Sequence, residues 1–390
     1  MKALKQYSQK VKFLIILVVL GMWAIYFADY EYIFRGARVV YLTGHQSAFI
    51  DDYPYFSNAE VKNNDKNIQT WPTANAYNQI SSTSRLDSIN KEMNTVAFLI
   101  IKNDSIVYED YSDNYGLDSK TNSFSMAKSI TTSLLFKAID DGHIKSLDQP
   151  ITDFYPDFKG KFANECSVGD LASMASCLNC EENYYSPFSM TAQAHYDDDI
   201  SQLIKTCKIT TKPGLSYNYL SGNTELLAMI IQKAVEMPLA DYLSESFWKP
   251  LGMRNDALWQ MDSERKKMVK AYCCISSNAR DFAKFGKLYL DKGNWNGDQL
   301  INQEHAQLAI QPRFKESSEY GYGFWLTNYK DKKAFAMRGF KGQYVIGIPE
   351  DDVIIVRLGK GRNKKKVDHF PTDFYVYYDE ALKIIENLER

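Results

Sequence analysis

Strand-forming runs lie towards the two ends of this sequence and helix-forming runs lie between them, which limits the folds open to the chain. "TVAFLII" (residues 95–101) is dense in β-branched and apolar residues, "KND" turns it, and "SIVYEDY" (residues 105–111) returns. Near the other end, "KAFAMRGF", "GQYVIGIP" and "DVIIVRLG" follow one another, the last two joined by a turn at "PEDD". Between them, residues 150–240 read as mostly helical with long loops, in "SVGDLASMAS", "DDDISQLIKTC" and "NTELLAMIIQKAV". Two more helices are expected at "ARDFAKFGKLYLDKG" and "NQEHAQLAIQ", and "FYVYYDEALKIIENLE" closes the chain as an amphipathic helix. Strands joined by hairpins make an antiparallel sheet, not a doubly wound parallel one. The expected fold is α/β of the α+β kind. The first hairpin joins the C-terminal strands in one central antiparallel sheet flanked by helices, and the middle segment forms a mostly helical lobe. A site is expected in the cleft between them.

The N-terminus has a different character. Residues 1–12 carry Lys2, Lys5, Lys10 and Lys12 and no acid, and "FLIILVVLGMWAIYFA" follows without a charge. As a helix that run spans about 24 Å, at the short end for a bilayer. Tyr26, Tyr30 and Tyr32 are placed to sit in the far interface. No small-x-small cleavage site closes the run, so an uncleaved signal anchor is expected over a cleaved signal peptide. The expected organisation is a cytoplasmic basic tail (1–12), a transmembrane signal anchor (13–30), an extended N-terminal spacer (31–80) and one main folded domain (81–390). The basic flank stays cytoplasmic, which puts the domain on the extracytoplasmic side, periplasmic or extracellular.

With 45% hydrophobic residues the chain can bury a sizeable core, and a net charge of -2 offers no basic field for nucleic acid. "RNKKK" (residues 362–366) reads as a solvated loop. In an oxidising compartment Cys166, Cys177, Cys180, Cys207, Cys273 and Cys274 are expected as disulfides or buried thiols, with the pairing left open. Their spacing fits no common zinc ribbon and every His lies elsewhere in the sequence, so no metal and no cofactor is expected.

The chemistry is sought at "SFSMAKSITTSLL" (residues 123–135). Ser-x-x-Lys occurs four times, at Ser88, Ser125, Ser246 and Ser263, so the spacing alone carries little. Only the second copy opens an apolar helical stripe, at Met126, Ile130, Leu134 and Ala138, ended by Gly142. There Ser125 stands at a helix N-terminus with Lys128 one turn on. A serine hydroxyl needs a neighbouring base, and a lysine, near 10.4 in water, must be desolvated to serve as one. The competing expectation is that Ser125 caps the helix and Lys128 points to solvent. "KPGLSYNYLSGN" (residues 212–223) offers a second element, a tyrosine in a loop ahead of a helix that can relay a proton; Tyr217 and Tyr219 both qualify. "RGFKGQYVIGIP" (residues 338–349) offers a third, glycines beside a strand. Backbone can approach a substrate closely there, and a free N–H can complete an oxyanion hole with the N–H of Ser125. A Gly-x-Ser-x-Gly elbow is absent, which argues against an α/β-hydrolase.

In their order, "SFSMAKS", "KPGLSYNYLSGN" and "RGFKGQY" resemble the serine beta-lactamase and penicillin-binding-protein-like superfamily over roughly residues 85–390. The nearer likeness is to its class C-like esterases and amidases of the 6-aminohexanoate-dimer hydrolase type. The resemblance implies a beta-lactamase/transpeptidase-like fold. It makes Ser125 the acylated serine and Lys128 its base, selects Tyr219 as the proton relay, and puts Ser221 in the third place of the Tyr-x-Asn/Ser element. The Lys-Thr-Gly strand element becomes Met337, Arg338 and Gly339, with Phe340 donating the second oxyanion N–H. Methionine cannot replace the cation usual at that place, so an ester or amide is the expected bond, in a small-molecule or cell-envelope substrate. The alternatives are a penicillin-sensor module that acylates without turnover and a D-Ala-directed carboxypeptidase or beta-lactamase.

Overall fold

The computed structural model describes residues 2–28, 30–112 and 114–388. Its main sheet has six strands: β1 (Thr95–Lys102), β2 (Ser105–Tyr111), β3 (Trp325–Tyr329), β4 (Lys332–Gly339), β5 (Gln343–Ile348) and β6 (Val353–Gly359). Their order is β2-β1-β6-β5-β4-β3 and every pairing is antiparallel. Asn103 and Asp104 turn the first hairpin with φ of 46° and 61°, a left-handed pair that Asn and Asp tolerate. β6 then lies beside β1, with Val356 opposite Leu99, so the two ends of the main domain close one sheet.

Side chains alternate between two cores. Leu99, Ile101, Val345, Ile354 and Val356 face one; Phe98, Ile100, Tyr344, Ile346 and Ile355 face the other. Both faces must therefore be covered. Helix α3 (Ser84–Glu92) and the C-terminal helix, α8 (Thr372–Leu388), cover the second face. The first is covered by α4 (Ala127–Asp140) and α7 (Ala279–Leu290), where Gly286 lets the helix approach Val345 and Ile354. α4 is buried along almost its whole length, because α6 (Ser221–Val235) of the helical lobe, itself backed by α5 (Val168–Ala172), packs on its other side. Met126, Ile130, Leu134 and Ala138 are all fully buried, and Gly142 ends the helix at φ 80°. Burying an aliphatic side chain of this size is worth about 1.5–3 kcal/mol, so this stripe fixes α4 between sheet and lobe.

The N-terminal part departs from an extended spacer. α1 (Lys2–Phe27) contains the stretch Gln6–Phe27, in which an 18-residue window has a mean hydropathy of 2.0, long and apolar enough to cross a membrane. Residues 1 and 29, in the expected tail and anchor, lie outside the described residues. α2 (Tyr32–Val40) follows at once, and Tyr32, expected in a membrane interface, is 2% exposed and packs into the protein body. Asn58–Val61 pairs with Ala257–Gln260 at the edge of a second sheet completed by Ile275–Ser277 and Thr121–Asn122. Polar composition hides these elements because each is short and buries at most three side chains.

Candidate active site

Ser125 does not cap α4. It sits in a single 3-10 turn, Phe124–Met126, ahead of the helix, whose N-cap is Met126 with no side-chain cap bond. Phe124 holds φ 44°, an uncommon conformation for a bulky residue, at a cost of about 1–2 kcal/mol. The surroundings impose it. Ser123 N donates to Ile275 O at 2.8 Å, Ile275 N donates to Ser123 Oγ at 3.1 Å, and Phe124 N donates to Asn122 Oδ1 at 2.8 Å. Asn122 in turn donates to Asp52 Oδ1 at 2.8 Å, as does Gln260 at 2.7 Å. Asp52 is fully buried, and burial pushes its carboxyl up to about 6. A residue of the N-terminal segment thus buttresses the serine turn.

Lys128 is 1% exposed, so the expectation of a solvent-pointing amine fails. Its Nζ lies 3.2 Å from Ser125 Oγ, 3.1 Å from Ser221 Oγ and 2.8 Å from Tyr272 O. The rings of Tyr219 and Tyr272 flank it, with centroids at 5.1 and 5.4 Å. Tyr219 packs on Trp325 at 5.4 Å and Tyr320 at 6.1 Å. Tyr217 lies against the same two rings, and its hydroxyl is buried without a partner among the described residues.

Hydrogen-bond roles fix how this amine can work. Tyr272 O can only accept. Ser221 stands at the first turn of α6, and its hydroxyl donates to Glu182 Oε1 at 2.8 Å, while Ser221 N donates to Oε2 at 2.7 Å. With its hydrogen committed to Glu182, Ser221 Oγ also accepts from Lys128. An amine that donates to these two acceptors has Ser125 Oγ as its third polar neighbour, the place of the lone pair when it acts as a base.

Behind the amine, Glu225 on α6 accepts from Ala271 N at 2.8 Å and so holds the segment that presents the Tyr272 carbonyl. Its other oxygen has no partner among the described residues, and burial pushes the carboxyl up to about 8. Lys270 is pulled down to about 7 by the same desolvation; it donates to His195 O at 2.6 Å and lies over the Phe56 ring.

Gly339 ends β4 against the serine turn. A Cβ there would lie 2.2 Å from Ser123 O, so the glycine admits the backbone of the serine turn. Phe340, next along, lines the same cavity as Ser125 and meets Phe124 edge-on at 5.6 Å. Met337 is fully buried in the first core. The Arg338 guanidinium stacks on Trp325 at 3.3 Å and donates to His369 O at 2.7 Å.

Two cysteine pairs are joined. Cys180–Cys207 ties down the loop carrying Glu182, and Cys273–Cys274 follows Tyr272 directly; Cys166 and Cys177 are free. His195 approaches Cys273 and Cys274 in space, but their sulfurs are bonded to each other, which removes them as thiolate ligands.

The fold sets a half-buried Ser125 hydroxyl beside the buried Lys128 amine, and its class is that of the serine hydrolases. The chain belongs to the beta-lactamase family, whose model matches residues 82–374. It is 24% identical over 292 residues to the 6-aminohexanoate-dimer hydrolase of Paenarthrobacter ureafaciens, covering 69% of this chain and 73% of that protein. Protein flp of Staphylococcus aureus is 23% identical over 337 residues, covering 77% and 67%. Among solved structures, a Bacillus anthracis protein described as a 6-aminohexanoate-dimer hydrolase superposes with a TM-score of 0.73 at 22% identity, covering 91% of this chain and 94% of that one. D-amino acid amidase from Ochrobactrum anthropi superposes with 0.58 at 18% identity, covering 79% and 100%.

Proposed function

We propose that the chain is a membrane-anchored serine hydrolase that cleaves an ester or amide bond through an acyl-enzyme on Ser125. The observation that carries this is the buried Lys128 amine, 3.2 Å from Ser125 Oγ, with both alternative contacts made to groups that accept from it. Lys128 takes the Ser125 proton as Oγ attacks the carbonyl carbon. The N–H groups of Ser125 and Phe340 receive the oxyanion. As the tetrahedral intermediate collapses, Tyr219 gives its proton to the leaving alcohol or amine and regains one from the Lys128 ammonium. Water, deprotonated by the same route, then releases the acid and restores the Ser125 hydroxyl. Met337 supplies no cation for a substrate carboxylate and Arg338 is engaged elsewhere, so uncharged acyl donors fit better than β-lactams. The apolar helix α1 supports anchoring, and its lysine-rich flank supports an extracytoplasmic site.

Ser125→Ala tests the reading. It is expected to abolish labelling by a serine-directed fluorophosphonate; retained labelling would move the nucleophile elsewhere. Steady turnover of a p-nitrophenyl ester is expected, and a single burst of one product per chain would mark a sensor instead.

A further inference from the structure

The cavity beside Ser125 is larger than bond cleavage alone requires. It measures about 330 Å³, and Ile33, Ala37, Val40, Phe124, Ala192 and Phe340 give it apolar walls. With about 30 Å³ per water as the scale, it holds roughly ten methylene-sized groups.

One wall is α2, and α2 ties the cavity to α1. It begins at Tyr32, five residues beyond Phe27, where α1 ends. Five residues span at most about 18 Å. The junction is tighter than that, since Tyr30 N donates to Ile25 O at 3.0 Å. α2 is also fixed to the hydrolase body. Val39 and Val40 are buried, Arg35 pairs with Asp198 at 3.0 Å, and Gly36 lets α2 close on the Tyr196 ring. The cavity therefore stays near the end of the apolar helix.

The cavity's surroundings are apolar too. Tyr41 (69%), Leu42 (81%) and Tyr185 (99%) are exposed, as are Tyr184 and Phe188. Phe188 meets Tyr30 edge-on at 5.6 Å, which joins this rim to the α1–α2 junction. Single exposed apolar side chains are ordinary, but a group of them around a cavity mouth marks an interaction surface. Tyrosines suit a membrane–water interface in particular.

We propose that this cavity is an acyl-chain pocket filled from the bilayer, and that the substrate is a long-chain carboxylic ester of a membrane lipid. The inference rests on the serine hydrolase reading above and deepens it. Ser125 Oγ bonds to the acyl carbon as the ester C–O bond breaks. The lipid alcohol leaves with a proton from Tyr219, and water then frees the fatty acid and returns the serine.

The test uses the full chain in phosphatidylethanolamine–phosphatidylglycerol vesicles. Its probes are p-nitrophenyl esters of two, four, eight and twelve carbons and dioleoylglycerol dissolved in the bilayer. Each methylene buried from water is worth about three- to fourfold, so kcat/KM is expected to rise at least ~30-fold from the two-carbon to the eight-carbon ester. Oleate release from dioleoylglycerol is expected as well. Ala37→Trp and Ala192→Trp, which fill the pocket from two different helices, are each expected to lower the ratio of twelve- to two-carbon turnover at least ~10-fold. Flat chain-length dependence, or no oleate release while the four-carbon ester is hydrolysed, would overturn the lipid substrate and leave the hydrolase standing. Loss of all turnover together with failed phosphonate labelling of Ser125 would overturn both.

Discussion

Gly339→Ala puts the site under the most local stress the structure allows. The added Cβ would meet Ser123 O at 2.2 Å, more than 1 Å inside the 3.4 Å at which ordinary contact begins. Two further contacts, to Gln343 Cβ and Cγ at 3.0 and 3.2 Å, prevent an easy sidestep. The other party is a backbone carbonyl within the turn that holds Ser125, and hydrogen bonds to Ile275 fix that turn. Either β4 withdraws or the turn does, and both change the distance between Ser125 and the N–H of Phe340. A misplacement of about 1 Å costs on the order of 10²-fold in rate, and full loss of one oxyanion donor about 3–4 kcal/mol. Overpacking should cost only about 1–3 kcal/mol of stability. The assay is kcat for a p-nitrophenyl ester in detergent-solubilised full chain, alongside a melting curve. A folded variant with kcat down about 100-fold is the expected result. A folded variant with wild-type kcat would refute the argument that this close approach aligns the oxyanion donors.

Glu182→Ala frees the Ser221 hydroxyl to turn its hydrogen on Lys128 and compete for the lone pair. A net hydrogen bond of about 1 kcal/mol sets the expected loss near 5- to 10-fold in kcat with KM little changed, and a changed KM alone would point to substrate contact instead. Tyr219→Phe is expected to slow alkyl esters or amides by about 10²-fold or more while p-nitrophenyl esters lose little; equal loss on both would remove the proton-relay role. For Glu225, burial raises the folded carboxyl to about 8 against about 4.3 when unfolded, so between those values the folded state holds more protons. Its contribution therefore falls as pH rises through that window, by at most about 1.4 kcal/mol per pH unit. Glu225→Gln is expected to flatten the fall in urea-denaturation stability between pH 5 and 7; an unchanged slope would place the proton elsewhere.

The elements legible in the sequence were those whose pattern repeats over many residues. The β1–β2 hairpin announces itself by β-branched residues around an Asn-Asp turn, and α4 by a stripe that the sheet and lobe bury. Ser125 and Lys128 were legible because they stand three residues apart at the start of that stripe. β3 was not separated out, since "WLTNY" is short and takes its place by pairing with β4. Glu182 and Asp52 were invisible for a different reason. Each is a single acid in a polar stretch, brought to the site by contacts across 39 and 70 residues, to Ser221 and Asn122. The Tyr272 carbonyl is a backbone group, and no side-chain motif reports it. Arg338 does not take the place left vacant at Met337, because neighbours on a strand face opposite ways: Met337 enters the first core while Arg338 lies over Trp325 and Phe370.

Rapid-quench mass spectrometry of the intact chain during ester turnover, with peptide mapping of the adduct, tests the central claim most directly. The account predicts a transient acyl group on Ser125 that decays as fast as product forms, and whose formation slows by orders of magnitude in Lys128→Ala. Steady hydrolysis without an adduct, or an adduct on any other residue, would contradict it.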